Sequence, residues 1–151
     1  MNLADSRPWW RDGRWWLLLF GPLPFWGIWA WFSPPAGLWL TVAPTVWVNL
    51  VLLWPLAEEL LFRGVVQGWL LRRWPASSFV VFGISLANGL TSLVFTAMHL
   101  WLHPGWLALA VMLPSLAFGW TRERHRSLLS PCLLHMFYNA GWFWLQPPAG
   151  F

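Results

Sequence analysis

The chain has 151 residues, about one domain's length, of which 58% are hydrophobic and only 9% charged. A soluble domain carries about 25% charged residues, so the composition excludes an ordinary water-facing surface. All nine basic residues are arginine and the formal net charge is +4, yet no basic run tracks a phosphate backbone, which argues against nucleic acid as a partner. The single cysteine, Cys132, excludes an intrachain disulfide framework and any multi-thiolate metal site. What remains is a single integral membrane domain over residues 1–151, with membrane lipid as its first partner.

Residues 1–14 form a short polar lead-in. Arginines precede an apolar stretch here, but Trp29-Ala30-Trp31-Phe32 offers no small-residue cleavage site, so a cleaved signal peptide is not expected. No formal charge occurs over residues 15–57, 74–121 or 127–151. A spanning helix needs about 20 apolar residues. The first run divides at Ser33-Pro34-Pro35-Ala36-Gly37, where paired prolines end a helix, and the second divides near His103-Pro104-Gly105. The expected spans are 15–32, 38–71, 79–101, 105–121 and 128–145. The second is long enough to kink or split at Pro44 or Pro55, so the fold class is an all-α polytopic transmembrane bundle of about five to six membrane helices.

Arginine placement sets the orientation. Arg7, Arg11 and Arg14, then Arg72 and Arg73, then Arg122, Arg124 and Arg126 all fall on one side of a five-span chain. The positive-inside rule makes that side, and the N-terminus, cytoplasmic in a multi-pass plasma or inner membrane protein. Trp9, Trp10, Trp15, Trp16, Trp69, Trp74, Trp101, Trp106 and Trp120 lie near predicted span ends, where an indole suits the headgroup layer.

Ionisable groups inside apolar segments are costly and tend to pair or to line a wet cavity. In Glu58-Glu59-Leu60-Leu61-Phe62-Arg63, Glu59 and Arg63 stand at i and i+4 with the acid first, the favourable order for an ion pair. That commits Glu59 and leaves Glu58 free to serve as a general base. Phe95 and His99 share a helix face one turn apart, as do His135 and Asn139. A carboxylate pair, two histidines and an asparagine from three helices are thereby candidates for one polar cavity. His103 and His125 are expected to be hydrogen-bonded packing residues.

At these residues the chain resembles the CPBP intramembrane proteases, which include type II CAAX prenyl endopeptidases and bacteriocin-processing enzymes. The family's EExxxR, FxxxH and HxxxN motifs occur in order as Glu58-Glu59…Arg63, Phe95…His99 and His135…Asn139. The resemblance covers roughly residues 50–145 and leaves the first span outside it; many members carry additional N-terminal helices. So short a chain resembles members associated with C-terminal sorting signals. The resemblance implies that Glu58 and His99 activate a water, that Glu59 and Arg63 support the site, and that His135 and Asn139 stabilise the oxyanion. Phe95 would orient His99. The implied activity is a glutamic-type endopeptidase acting near the C-terminus of a membrane-anchored or lipidated protein, with no cofactor.

Other chemistries remain open. Zinc held by Glu58, His99 and His135 is the runner-up, although there is no HExxH and a paired Glu59 offers a metal little. Cys132 and His135 at i, i+3 form a conceivable thiol pair, but such a thiol more commonly packs as a small hydrophobe. Ser85, Ser92, Ser115 and Ser130 show no partner base in the sequence. A non-enzymatic immunity or scaffold protein is a further alternative. A straight helix from residue 76 would carry His99 more than about 30 Å from the cytoplasmic side. The expectation is therefore that residues 76–87 lie along the interface and that Asn88-Gly89 breaks the helix.

Overall fold

The computed structural model describes residues 8–34, 42–75, 80–81 and 83–147. Among these residues the protein is helical throughout, with one isolated β-bridge between Val81 and Ile84. A single 3₁₀ turn, Trp9–Arg11, leads into α1 (Gly13–Phe20) and α2 (Leu23–Phe32). These are followed by the long helix α3 (Pro44–Arg73), α4 (Leu86–Leu102), α5 (Trp106–Ala110), α6 (Met112–His125) and α7 (Leu129–Leu145). The Pro34-Pro35 break leaves α2 ending at Phe32; residues 35–41 lie outside the described residues.

Only α3 is by itself long and apolar enough to cross a membrane; α4 is apolar but shorter, at 17 residues. The outer faces nonetheless carry large apolar side chains with no protein cover, including Trp31 at 82% exposure and Trp101 at 85%. The first expected span is two helices, because Gly21-Pro22 joins α1 to α2 in helical conformation while Pro22 withholds a backbone donor. Pro44 does not kink α3 but starts it, at a position where its missing N–H costs nothing. Pro55 does not split it either. Instead α3 carries two π turns, Asn49–Leu53 and Leu60–Val66, which widen the helix without ending it. The α5–α6 break at Val111 has a similar origin, since Pro114 cannot donate to the Ala110 carbonyl and regular bonding resumes with Ser115 N–H to Val111 O at 3.1 Å.

The expected break at Asn88-Gly89 is not where α4 begins. Residues 76–79 and 82 lie outside the described residues, but Val81 and Ile84 exchange backbone hydrogen bonds around Gly83, whose φ of +81° suits glycine. The Ser85 hydroxyl then caps the helix by accepting the Asn88 N–H at 3.0 Å. Asn88 sits in the first turn with its side chain occupied elsewhere, donating to the Leu116 carbonyl of α6 at 2.9 Å. A neighbouring helix thus absorbs the polar group that makes asparagine a helix breaker. From Leu86 to His99 the rise is only about 20 Å, shorter than a straight helix from residue 76 would give.

Two glycines let helices touch. A Cβ on Gly119 of α6 would stand 2.0 Å from Asn88 Oδ1, and one on Gly141 of α7 would stand 2.2 Å from the Trp26 ring of α2. The second contact belongs to a seam in which α1 and α2 lie along α7. Tyr138 donates to the Leu18 carbonyl at 2.6 Å and Trp15 Nε1 donates to the Ser130 carbonyl at 3.3 Å. Trp15, Phe118 and Leu134 form the buried apolar cluster beneath it. At its end Asp12 caps α1 through the Arg14 N–H at 3.1 Å and also takes Arg124 and, at 3.2 Å, His125. Partial burial pushes the Asp12 carboxyl up, but hydrogen bonds from Arg124, His125 and the Arg14 amide outweigh it and hold the group at about 2.

Gly119→Ala is expected to lower stability by about 1–3 kcal/mol by driving Asn88 from the Leu116 carbonyl, read as a fall in Tm of the detergent-solubilised protein. Because the folded-state value of Asp12 lies below its ordinary 3.8, its contribution is complete above about pH 4 and disappears as pH falls through about 2. Asp12→Asn should lower Tm at pH 7 and leave Tm unchanged below pH 2, which thermal melts across that range will check.

Candidate active site

Within α3, Glu59, Arg63 and Gln67 are all fully buried and follow one another at steps of four. In a regular α-helix each such step drifts by roughly 40°, since 3.6 residues complete a turn. The π turn over Leu60–Val66 spreads the turn and keeps all three on the inner face. Glu59 Oε1 lies 3.1 Å from Arg63 Nη1, with both side chains at zero exposure. Arg63 Nη2 donates to the Ser115 carbonyl at 2.9 Å and to the Ser115 hydroxyl at 2.8 Å, which ties α3 to α6. Its guanidinium also lies over the rings of Phe95 at 4.8 Å and Phe118 at 5.5 Å.

His135 of α7 stands between the two carboxylates. Its Nδ1 is 2.9 Å from Glu59 Oε1 and its Nε2 is 3.6 Å from Glu58 Oε2. Phe118 stacks on the imidazole at 4.9 Å and Phe95 meets it edge-on at 5.9 Å. Glu58 keeps 21% of its side chain exposed where Glu59 keeps none, so the adjacent acids differ in environment as well as in partner. Glu58 interacts electrostatically with both His135 and His99.

On α4, the His99 ring packs against Phe95 at 4.4 Å, and its Nδ1 is 3.0 Å from the Phe95 carbonyl. A carbonyl only accepts, so Nδ1 carries the proton in that bond and Nε2 is left with its lone pair or a second proton. Phe95 itself is nearly fully buried and meets Phe62 at 4.9 Å. Asn139 of α7 donates through Nδ2 to the Leu50 carbonyl at 2.9 Å. Phe95, His99, His135 and Asn139 then line a partly open cavity of about 80 Å³, together with Val111, Pro114, Phe118 and Tyr138. That volume admits a few water molecules, at about 30 Å³ each in the liquid.

The structure therefore gathers all seven residues singled out in the sequence around one region. Glu58, Glu59, Arg63 and His135 form a connected polar cluster, Phe95 sits under it, and His99 and Asn139 share the adjoining cavity with His135. Among the described residues no group of three His, Cys, Asp or Glu side chains is gathered as a metal site. Cys132 is buried, and both ring nitrogens of His135 face carboxylates. The sequence did not disclose Ser115, Phe118 or Tyr138; none belongs to a charged or spaced motif, and their partners are distant in the chain. It also showed no serine beside a base, whereas Ser130 Oγ lies 2.8 Å from His125 Nδ1, whose other nitrogen meets Asp12. Ser130 has no exposed surface, so this arrangement pins the N-terminal helix and offers no accessible nucleophile.

A family model described as type II CAAX prenyl endopeptidase Rce1-like matches residues 40–141. The chain belongs to this family. The match runs from before α3 nearly to the end of α7 and includes every element that contributes to the cluster, while α1 and α2 lie outside it. No match to this chain was found among curated proteins or among solved structures. Membership in the Rce1-like family makes the protein a membrane-embedded protease of the CAAX type in general.

Ser115→Ala removes one of two hydrogen bonds to a buried cation, a loss of about 1.5–3 kcal/mol. The expected outcome is a clear fall in Tm with Arg63 retained in place by the Ser115 carbonyl. Ser115→Thr, which keeps the hydroxyl, should recover most of that loss in the same melts.

Proposed function

We propose that this Rce1-like protein is a polytopic intramembrane endopeptidase of about five to six spans, with its N-terminus in the cytoplasm. It hydrolyses a peptide bond near the C-terminus of a membrane-anchored or lipidated protein. The observation that carries this reading is the position of His135 between Glu58 and Glu59, at the edge of a water-sized cavity that it shares with His99 and Asn139.

In this mechanism Glu58 and His99 take the proton of a water as its oxygen attacks the scissile carbonyl, and that proton then passes to the departing amine. His135, through the Nε2 that at 3.6 Å from Glu58 makes no hydrogen bond there, and Asn139, through its second N–H, donate to the developing oxyanion. Glu59 and Arg63 hold the cluster in shape, and Phe95 fixes the plane of His99 through ring contact and its own carbonyl. The scheme uses no cofactor. The zinc alternative is disfavoured by the engagement of Glu59 with Arg63 and of His135 Nδ1 with Glu59.

The test uses the purified full-length protein in lipid vesicles and an internally quenched peptide ending in a prenylated cysteine tetrapeptide. Glu58→Gln and His99→Ala should each lower kcat by roughly 10²–10⁴-fold with membrane insertion intact, and chelators should leave the wild-type rate unchanged. Unaltered cleavage by both variants removes the enzyme reading of these residues, whereas loss to chelator with recovery on added zinc moves the chemistry to a metal. Comparing membrane-protein C-termini in cells with and without the protein then identifies the natural substrate.

A further inference from the structure

The carbonyl that holds Asn139 is not an ordinary helix carbonyl. In the first π turn of α3 the Trp54 N–H donates to the Asn49 carbonyl, five residues back. In that register the next donor, due at the Leu50 carbonyl, is the nitrogen of Pro55, which has no hydrogen. Nor is the four-back partner free, because it is the same Trp54 N–H already given to Asn49. A half-buried carbonyl in apolar surroundings is costly to leave without a donor, and the donor that arrives is Asn139 Nδ2 at 2.9 Å from a helix 89 residues further along. Pro55 is itself buried.

We infer that Pro55 is a positioning residue for the candidate site: by withholding a backbone hydrogen in a π-helical register it leaves the Leu50 carbonyl open, and that carbonyl fixes the rotamer and amide orientation of Asn139. Because a carbonyl only accepts, the Asn139 side chain must turn its NH₂ group, not its oxygen, toward Leu50. One N–H is spent on Leu50, and the second N–H and the Oδ1 remain for the cavity that Asn139 lines. The catalytic importance of this device rests on the reading of Asn139 as an oxyanion donor; the device itself does not.

The experiment therefore needs no turnover. The chain has four asparagines, Asn2, Asn49, Asn88 and Asn139, so selective ¹⁵N-asparagine labelling of the full-length protein in bicelles gives few side-chain NH₂ signals, and Asn139→Ala assigns the relevant one. In the wild type one Asn139 side-chain proton should exchange slowly with deuterium. Pro55→Ala supplies the missing N–H to Leu50, and exchange at Asn139 should rise about tenfold, the factor for one hydrogen bond, while Tm holds or rises because alanine is the better helix former. As a second measurement, Asn139→Ala should lower Tm in the wild-type background by more than it does in the Pro55→Ala background. Unchanged exchange at Asn139 in Pro55→Ala, or equal Tm losses in the two backgrounds, overturns the inference. If cleavage of the prenylated peptide fails while the exchange result holds, the proposed function is at fault and the positioning role stands.

Discussion

The fold is organised by the need to accommodate one arginine that has no access to water. Arg63 and Glu59 are both fully buried, and taking two charges out of water costs several kcal/mol per ion even after relaxation. Their mutual attraction offsets more of this cost the more of the remaining donors and acceptors are engaged, and here Arg63 Nε and Glu59 Oε2 make no hydrogen bond among the described residues. Arg63 recruits both oxygens of Ser115 and the faces of Phe95 and Phe118, and Glu59 recruits His135. Those partners lie on α4, α6 and α7. A single ion pair on α3 therefore dictates which faces of three other helices turn inward. Apolar packing alone supplies little such direction where lipid tails are as apolar as the side chains.

Proline and the π register give α3 its ability to serve this demand. A regular helix would carry Gln67 away from the face that holds Glu59 and Arg63. The wide turn keeps it buried, where Nε2 donates to the Gly119 carbonyl at 3.1 Å and to Glu123 at 2.7 Å. Glu123 also accepts the Ser85 hydroxyl, at 2.6 Å. The inner face of α3 thus carries one polar file from the Glu59–Arg63 pair to the cap of α4, and the start of α4 is fixed by the same file. This couples the depth of His99 to the position of Gln67 through Glu123 and Ser85.

Much of this was legible in the sequence because its signals are local. The Glu59–Arg63 spacing and the Phe95–His99 turn are properties of single helices, and the structure presents them as such. What escaped was whatever depends on a partner far along the chain. Asn88-Gly89 reads as a break because a lone asparagine competes with its own backbone, and that competition is lost when the Leu116 carbonyl takes the side chain. Ser115 reads as an unremarkable serine until an arginine 52 residues earlier meets it. The Asp12–His125–Ser130 chain joins residues more than a hundred positions apart, and no spacing rule links its members. Pro55 suggests a kink in a span that is too long, because sequence shows the missing donor but not the wider turn that absorbs it.

The proposed reaction also depends on the surroundings of this partly open cavity of about 80 Å³. The walls that face His99 and Asn139 are Val111, Pro114 and Tyr138. Val111 and Pro114 belong to the α5–α6 break, where the helix lacks a backbone hydrogen bond, so this wall is less firmly held than the one built on Arg63. On the other side of α4, Leu93, Thr96, Ala97 and Leu100 border an apolar hollow with Leu109 and Met112, which abut the same break. Polar and apolar spaces thus meet at the α5–α6 break. A substrate whose scissile bond must reach water while its tail stays in an apolar medium would need both kinds of space, and the residues around the α5–α6 break border both.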